Sequence, residues 1–148
     1  MREEYTSRNP AHLARVEGMF TEANFVRHLG IELLRSGPGW CESRMPVQAW
    51  HSQQDGFVHA GATSTLADHT AGASALSLVG IEETVLSVEY KINLLRPGIG
   101  EYLFCRADVI RNGRRLIVSE SEVYALREET KKLVAKATVT LAVLDAHG

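Results

Sequence analysis

Apolar positions change spacing several times along the 148-residue chain, and each change marks an expected element. After Asn9-Pro10, the residues Leu13, Val16, Met19, Phe20, Phe25 and Val26 recur at helical intervals. They predict a helix over about residues 11–28, ended by Leu29-Gly30. Ile31 to Arg35 and Trp40 to Val47 read as two strands joined by the turn Ser36-Gly37-Pro38-Gly39 into a hairpin. Gln48 to Gly56 is a polar loop interrupted by Trp50. Downstream, Thr84 to Leu95 is rich in β-branched and aromatic residues and predicts a long strand. Arg96-Pro97-Gly98-Ile99-Gly100 then makes a turn, Glu101 to Arg111 a strand, and Asn112-Gly113 a hairpin. Arg115 to Arg127 and Leu133 to Leu144 complete the set, joined by the charged turn 128–132. The expected order is helix, two strands, long helix, four strands.

The long helix is the unusual element. Val58, Ala62, Leu66, Ala73 and Leu76 form one apolar stripe, while Ser64, Ala67, Ala71, Gly72 and Ala75 keep the remaining surface slim. Small residues lower intrinsic helix stability, so tertiary packing must hold this helix in place. Between Gly61 and Val79 the only formally charged residue is Asp68, which predicts a buried helix. A buried carboxylate is costly unless it is paired, hydrogen-bonded or protonated. Asp68 is thus either tied to Ser64, Thr65 or a neighbouring strand, or it is a catalytic base or nucleophile.

Composition narrows the picture. With 45% hydrophobic and 23% charged residues, the chain suits one domain, 1–148, with a real core. A net charge of −2 argues against nucleic acid as the main partner. The short cluster Arg111-Asn112-Gly113-Arg114-Arg115 remains usable for phosphate. Cys41 and Cys105 have neither disulfide-framework nor zinc spacing and are expected as small hydrophobes in strands. No segment approaches the roughly 18 apolar residues needed to span a bilayer. The N-terminus carries charges without an apolar leader, so a cytoplasmic protein is expected.

One buried helix against a strongly bent antiparallel sheet is an α+β architecture, and this element order resembles the hotdog fold. The resemblance becomes specific at His59-Ala60-Gly61 followed by Leu66-Ala67-Asp68. That pair is similar to the His-Gly-Gly and Leu-Ala-Asp pattern of the phenylacetate-pathway (PaaI-type) acyl-CoA thioesterases. Leu86-Ser87-Val88-Glu89-Tyr90 and Asn93-Leu94-Leu95-Arg96-Pro97-Gly98 match the family's next strand. The likeness extends from about Leu29 to Val143.

The resemblance implies roles residue by residue. Asp68, nine residues after His59, stands at the acidic position that activates water or attacks the thioester carbonyl. Gln53 stands where a side-chain amide orients the substrate carbonyl or the water. Ala60 replaces the first glycine of the motif, a departure that keeps the backbone N–H. His59 shapes the turn beside the substrate, and Ser87 matches an auxiliary hydroxyl position. The chemistry is coherent without the family: a thioester carbonyl gains negative charge on attack, and Ala60 and Gly61 offer N–H groups at a helix N-terminus.

Asp68 lies about 12 Å along the helix from Ala60 at about 1.5 Å rise per residue, too far for both to meet one carbonyl. The resemblance resolves this with a homodimer, in which Asp68 of one subunit meets Ala60 and Gln53 of the other, and it favours a dimer of dimers. The expected reaction is hydrolysis of a small aromatic or medium-chain acyl-CoA, with Phe57, Leu76 and Trp50 shaping the acyl pocket. No metal and no redox cofactor is expected, coenzyme A being part of the substrate.

Other readings are weaker. His69 is next to Asp68 and points about 100° away around the helix, against an Asp-His pair. No Gly-x-Ser-x-Gly elbow exists for a serine hydrolase. His51, His59 and His69 lack metal-ligand spacing. Arg111, Arg114 and Arg115 suit the phosphates of coenzyme A, or a solvated turn that guards a sheet edge. The rival from another class is a non-catalytic acyl-CoA-binding scaffold with a structural Asp68.

Overall fold

The structure is a computed structural model that describes residues 3–148. It contains helices α1 (His12–Glu22), α2 (Asn24–Leu29) and α3 (Ala60–Leu76), and strands β1 (Glu32–Gly37), β2 (Trp40–Pro46), β3 (Glu83–Leu94), β4 (Tyr102–Asn112), β5 (Leu116–Arg127) and β6 (Thr130–Asp145). The strands form one six-stranded sheet in the order β1-β2-β4-β5-β6-β3, with every pairing antiparallel. α3 packs against β2, β3, β4, β5 and β6, so the sheet wraps around it. This is the expected hotdog arrangement.

The small residues of α3 account for that closeness. Leu66, Ala67, Ala71, Ala73 and Ala75 are buried against Met45, Leu103, Ile117, Val139 and Leu141 of the sheet. Hydroxyls within this apolar contact find partners across it. Thr70 meets Ser43 at 2.6 Å, Ser74 meets Ser119 at 2.8 Å, and Ser121 donates to the Ala67 carbonyl at 2.8 Å. Each bond removes the cost of an unsatisfied buried polar group and fixes the helix's position along the strands. Cys41 and Cys105 are buried thiols of the same core, and burial pushes the Cys105 thiol up to about 12.

Three boundaries differ from the sequence reading. The first helix breaks at Ala23, whose backbone is extended (φ −75°, ψ 102°). Phe20 and Val26 are both buried, yet residues six apart on one continuous helix point about 120° apart. The break re-aims the chain so that both side chains reach the core. The loop before α3 contains a single turn of 3₁₀ helix at Ala49–His51. Finally, the turn before β6 is only Glu128-Glu129, with Glu128 at φ 53°, so 130–132 are strand rather than turn.

β3 lies at the edge of the sheet and is paired only with β6. A register shift between Ser87 and Glu89 places a bulge at Val88. No described helix is long and apolar enough to cross a membrane.

Candidate active site

The approach to α3 is fixed by backbone bonds. Ser52 and Val58 form a short bridge, the Val58 N–H donates to the Gly98 carbonyl at 3.1 Å, and the His59 N–H donates to the His51 carbonyl at 2.8 Å. These bonds fix the direction in which the chain enters the helix. His51 is itself buried between loop and helix: its Nδ1 accepts from the Gln48 N–H at 3.0 Å, and its Nε2 lies 2.8 Å from the Leu29 carbonyl.

His59 is the N-cap of α3. Its Nδ1 accepts from the Gly61 N–H at 2.8 Å, and its carbonyl accepts from the N–H groups of Ala62 and Thr63. The Ala60 N–H makes no hydrogen bond among the described residues. The expectation of two backbone donors is therefore corrected to one, because the Gly61 N–H is occupied by the His59 ring. His59 thus acts as the structural cap that the turn requires.

Ala60 opens onto a cavity of about 500 Å³. Gln53, His59 and Thr63 share its wall with Leu94, Leu95 and Gly98 from the end of β3 and the following turn. Gln53 folds over the loop: its Oε1 accepts from the N–H groups of Asp55 and Phe57 at 2.5 and 3.2 Å, and its Nε2 lies 3.4 Å from Asp55 Oδ2. The amide carbonyl is thereby committed, and the weakly held NH₂ is the end available to a ligand. Phe57 lines the cavity as expected, but Leu76 is buried at the far end of α3, and Trp50, 56% exposed, stacks on His28 and His51. Neither lines this space within one chain. Leu94, Leu95, Arg96 and Gly98 were not expected in the site; the Pro97-Gly98 turn after a long strand was their only signal.

Asp68 lies away from this cavity. Asp68 is half-buried one face of α3 away from Ala60, and the Ser87 hydroxyl donates to its Oδ1 at 2.7 Å. Its bond therefore goes to the neighbouring strand, not to Ser64 or Thr65. Thr65 instead donates to the Gly61 carbonyl at 2.8 Å. Neither Asp68 nor Ser87 lines the Ala60 cavity of its own chain.

His69 turns away from Asp68 toward α1. Its ring meets Phe20 edge-on at 4.7 Å, its Nε2 is buried without a partner, and burial lowers its pKa, opposed by a bond to the Met19 backbone and by the Asp68 charge. No group of three or more potential metal ligands exists among the described residues. Arg111, Arg114 and Arg115 are exposed at the β4–β5 tip, at the opposite end of the sheet from the cavity. There the Val143 N–H donates to the Arg115 carbonyl, whereas Leu95 and Arg96 bond the Val134 carbonyl at the cavity end. The three arginines do not touch the cavity within one chain.

This geometry has counterparts among known proteins. The model of the thioesterase superfamily matches residues 55–132, over half of the chain, spanning the loop, α3 and β3 to β5. The chain belongs to the thioesterase superfamily. A solved thioesterase family protein from Silicibacter pomeroyi is similar with a TM-score of 0.87 and 37% identity, covering 89% of this chain and 97% of that one. Acyl-coenzyme A thioesterase 13 of Homo sapiens is 30% identical over 129 residues, 84% of this chain and 89% of its own length. The PaaI protein of the E. coli phenylacetic acid degradation operon shares the fold at a TM-score of 0.82 and 21% identity, over 93% of this chain and 96% of its own. This thioesterase superfamily chain is accordingly an enzyme of the thioester-hydrolase class with the hotdog fold.

Proposed function

We propose that the protein hydrolyses acyl-CoA esters, R–CO–S–CoA and water giving R–COO⁻, a proton and coenzyme A thiol, in composite sites shared by two copies of the chain. The human relative's name supports coenzyme A esters as the substrate class. The observation that carries the reading is the unoccupied Ala60 N–H, placed at the N-terminus of a buried helix on the wall of a cavity. A carbonyl oxygen bound there meets a fixed donor and the positive end of the helix dipole, which favour the oxyanion formed on attack.

Asp68 supplies the attack. Its carboxylate either takes a proton from the water that adds to the carbonyl carbon, or adds to that carbon itself to give a mixed anhydride that water then hydrolyses; both routes need the ionised form, and in both the tetrahedral intermediate expels the thiolate, which takes up a proton released from water. Ser87 holds Oδ1 and leaves Oδ2 to act. The NH₂ of Gln53 orients the water or the carbonyl oxygen.

The edge of the sheet supports the dimer. β3 is twelve residues long, one flank is unpaired, and Leu86, Val88 and Tyr90 are 61%, 57% and 46% exposed on it. A long apolar edge with open N–H and C=O groups is a template for a second strand. Pairing with the same strand of a second copy about a two-fold axis is antiparallel, which turns the partner's Asp68 toward Ala60 of the first chain. The cavity volume and its Phe57, Leu94 and Leu95 walls suit a small aromatic or medium-chain acyl group.

Free-thiol release from phenylacetyl-CoA, a hydroxybenzoyl-CoA and a medium-chain acyl-CoA tests the reading with wild type and Asp68→Asn. Wild type is expected to turn over at least one ester, and the folded variant to lose about 10²- to 10⁴-fold in kcat. Undiminished turnover in Asp68→Asn would remove its catalytic role. Binding of the esters without thiol release would favour a scaffold.

A further inference from the structure

A second depression of about 380 Å³ adjoins the acyl cavity and shares Arg96, Pro97 and Val134 with it. Arg127 and Lys132, from the two strands of the β5–β6 hairpin, line this second space. Arg127 pairs with Thr130 and Ala125 with Lys132 in the ladder, which makes the two residues diagonal neighbours on one face, their backbone positions about 7–8 Å apart. Neither has an ion-pair or hydrogen-bond partner among the described residues. Lys131, one position away, faces the other side and lies over the Phe104 and Tyr124 rings.

Arg96 stands where the two spaces meet. Its Nη1 donates to the Leu133 carbonyl at 2.9 Å, which anchors the guanidinium and leaves Nε and Nη2 unbonded. Three cations thus line a depression that shares Arg96, Pro97 and Val134 with the thioester cavity. The one carboxylate on that wall is Glu128, at the hairpin tip, so positive charge prevails. Like charges held this close repel, and a bridging anion relieves the repulsion. Ile99 and Val134 add an apolar floor.

We propose that Arg96, Arg127 and Lys132 form the phosphate-holding mouth of the thioester cavity, binding the phosphorylated nucleotide end of coenzyme A while its thioester arm reaches Ala60. The proposal rests on the acyl-CoA reading and deepens it. It also moves the phosphate contacts of the chain that binds the carbonyl away from Arg111, Arg114 and Arg115, which lie at the other end of that chain's sheet.

Binding by the whole protein tests it without reference to turnover. Calorimetric titration with coenzyme A and with pantetheine, which has the same arm but no nucleotide, compares wild type with Arg127→Ala/Lys132→Ala. The affinity for coenzyme A is expected to fall at least about ten-fold in the double variant while that for pantetheine holds. The charge-preserving Arg127→Lys/Lys132→Arg variant, folded alike, is expected to recover most of the loss, and added salt to weaken wild-type binding more than that of the alanine variant. Three outcomes would overturn the proposal: no coenzyme A binding by wild type, unchanged affinity in the folded alanine variant, or equal loss for pantetheine. Loss confined to Arg111→Ala/Arg114→Ala/Arg115→Ala would overturn it in favour of the other hairpin. A chain that binds coenzyme A through Arg127 and Lys132 but releases thiol from no ester would retain this proposal while rejecting the hydrolase assignment, so the two fail separately.

Discussion

Ser87 and Asp68 are nineteen positions apart in sequence, yet the serine hydroxyl donates to Asp68 Oδ1 at 2.7 Å from a strand immediately before a bulge. The bulge matters because it ends the regular alternation of β3 at the residue that must face the helix. A hydroxyl bonded to a carboxylate contributes about 1.5–3 kcal/mol when its partner is charged, and here that energy fixes one carboxylate oxygen and aims the other. Ser87→Ala is expected to lower kcat for the best acyl-CoA about 10- to 100-fold, with KM changed far less. Ser87→Thr should restore most of the rate. Steady-state kinetics on the three proteins checks this, and an unaltered kcat in the alanine variant would reduce Ser87 to a structural neighbour.

The exposed edge of β3 carries a second prediction. Lysines on an edge strand block pairing because their charges cannot be desolvated between two backbones. Leu86→Lys/Val88→Lys replaces two outward side chains that are 61% and 57% exposed in the single chain, so the protomer's own core is untouched. Light scattering across a concentration series should show a shift from dimer to monomer, and thiol release should vanish with the dimer. A monomeric variant with full activity would show that one chain suffices.

Stability should depend on two histidines. Burial lowers the pKa of His51, against a smaller upward effect of its bond to the Leu29 backbone, and lowers that of His69 in the same sense. The folded protein therefore binds fewer protons than the unfolded chain once pH approaches their ordinary value of 6.5. Stability rises with pH where the unfolded state holds more protons, so this contribution is complete above about pH 6.5 and is lost as pH falls below it. Tm is expected to hold above about pH 6.5 and to decline as pH falls below it. His69→Gln should flatten that slope, because the protonated ring has no acceptor for its buried Nε2 proton while the amide does not titrate. A slope identical in wild type and variant would assign the effect to His51 or to carboxylates.

The slim helix was legible because its signal is an absence: no Lys, Arg or Glu from Gly61 to Val79, which only enclosure by a sheet explains. Asp68 stood out on that background for the same reason. The break at Ala23 was invisible, since alanine favours helix and the cause is the demand that Phe20 and Val26 both reach the core. The capture of the Gly61 N–H by His59 was equally hidden, because it depends on one ring rotamer at the cap. Arg127 read as the end of a strand and Lys132 as a turn charge; only the ladder register, which begins β6 at Thr130, sets both on the face of a cavity.

The single free amide at Ala60 permits a backbone test. Ala60 is the first residue of α3, where proline is well tolerated: the helix does not use that N–H, and the fixed φ suits a first turn. His59 before it is extended, at φ −61° and ψ 138°, the region a residue preceding proline prefers. Ala60→Pro therefore removes the donor and leaves the helix and its His59 cap in place. The expected cost is about 10²- to 10³-fold in kcat, the scale of losing one oxyanion donor, with far-UV circular dichroism and Tm close to wild type. Ala60→Val, which adds bulk at the same wall but retains the N–H, separates sterics from donation: it should alter KM and acyl preference while keeping kcat within about ten-fold. A folded Ala60→Pro enzyme with undiminished kcat would mean that the oxyanion is held by another donor.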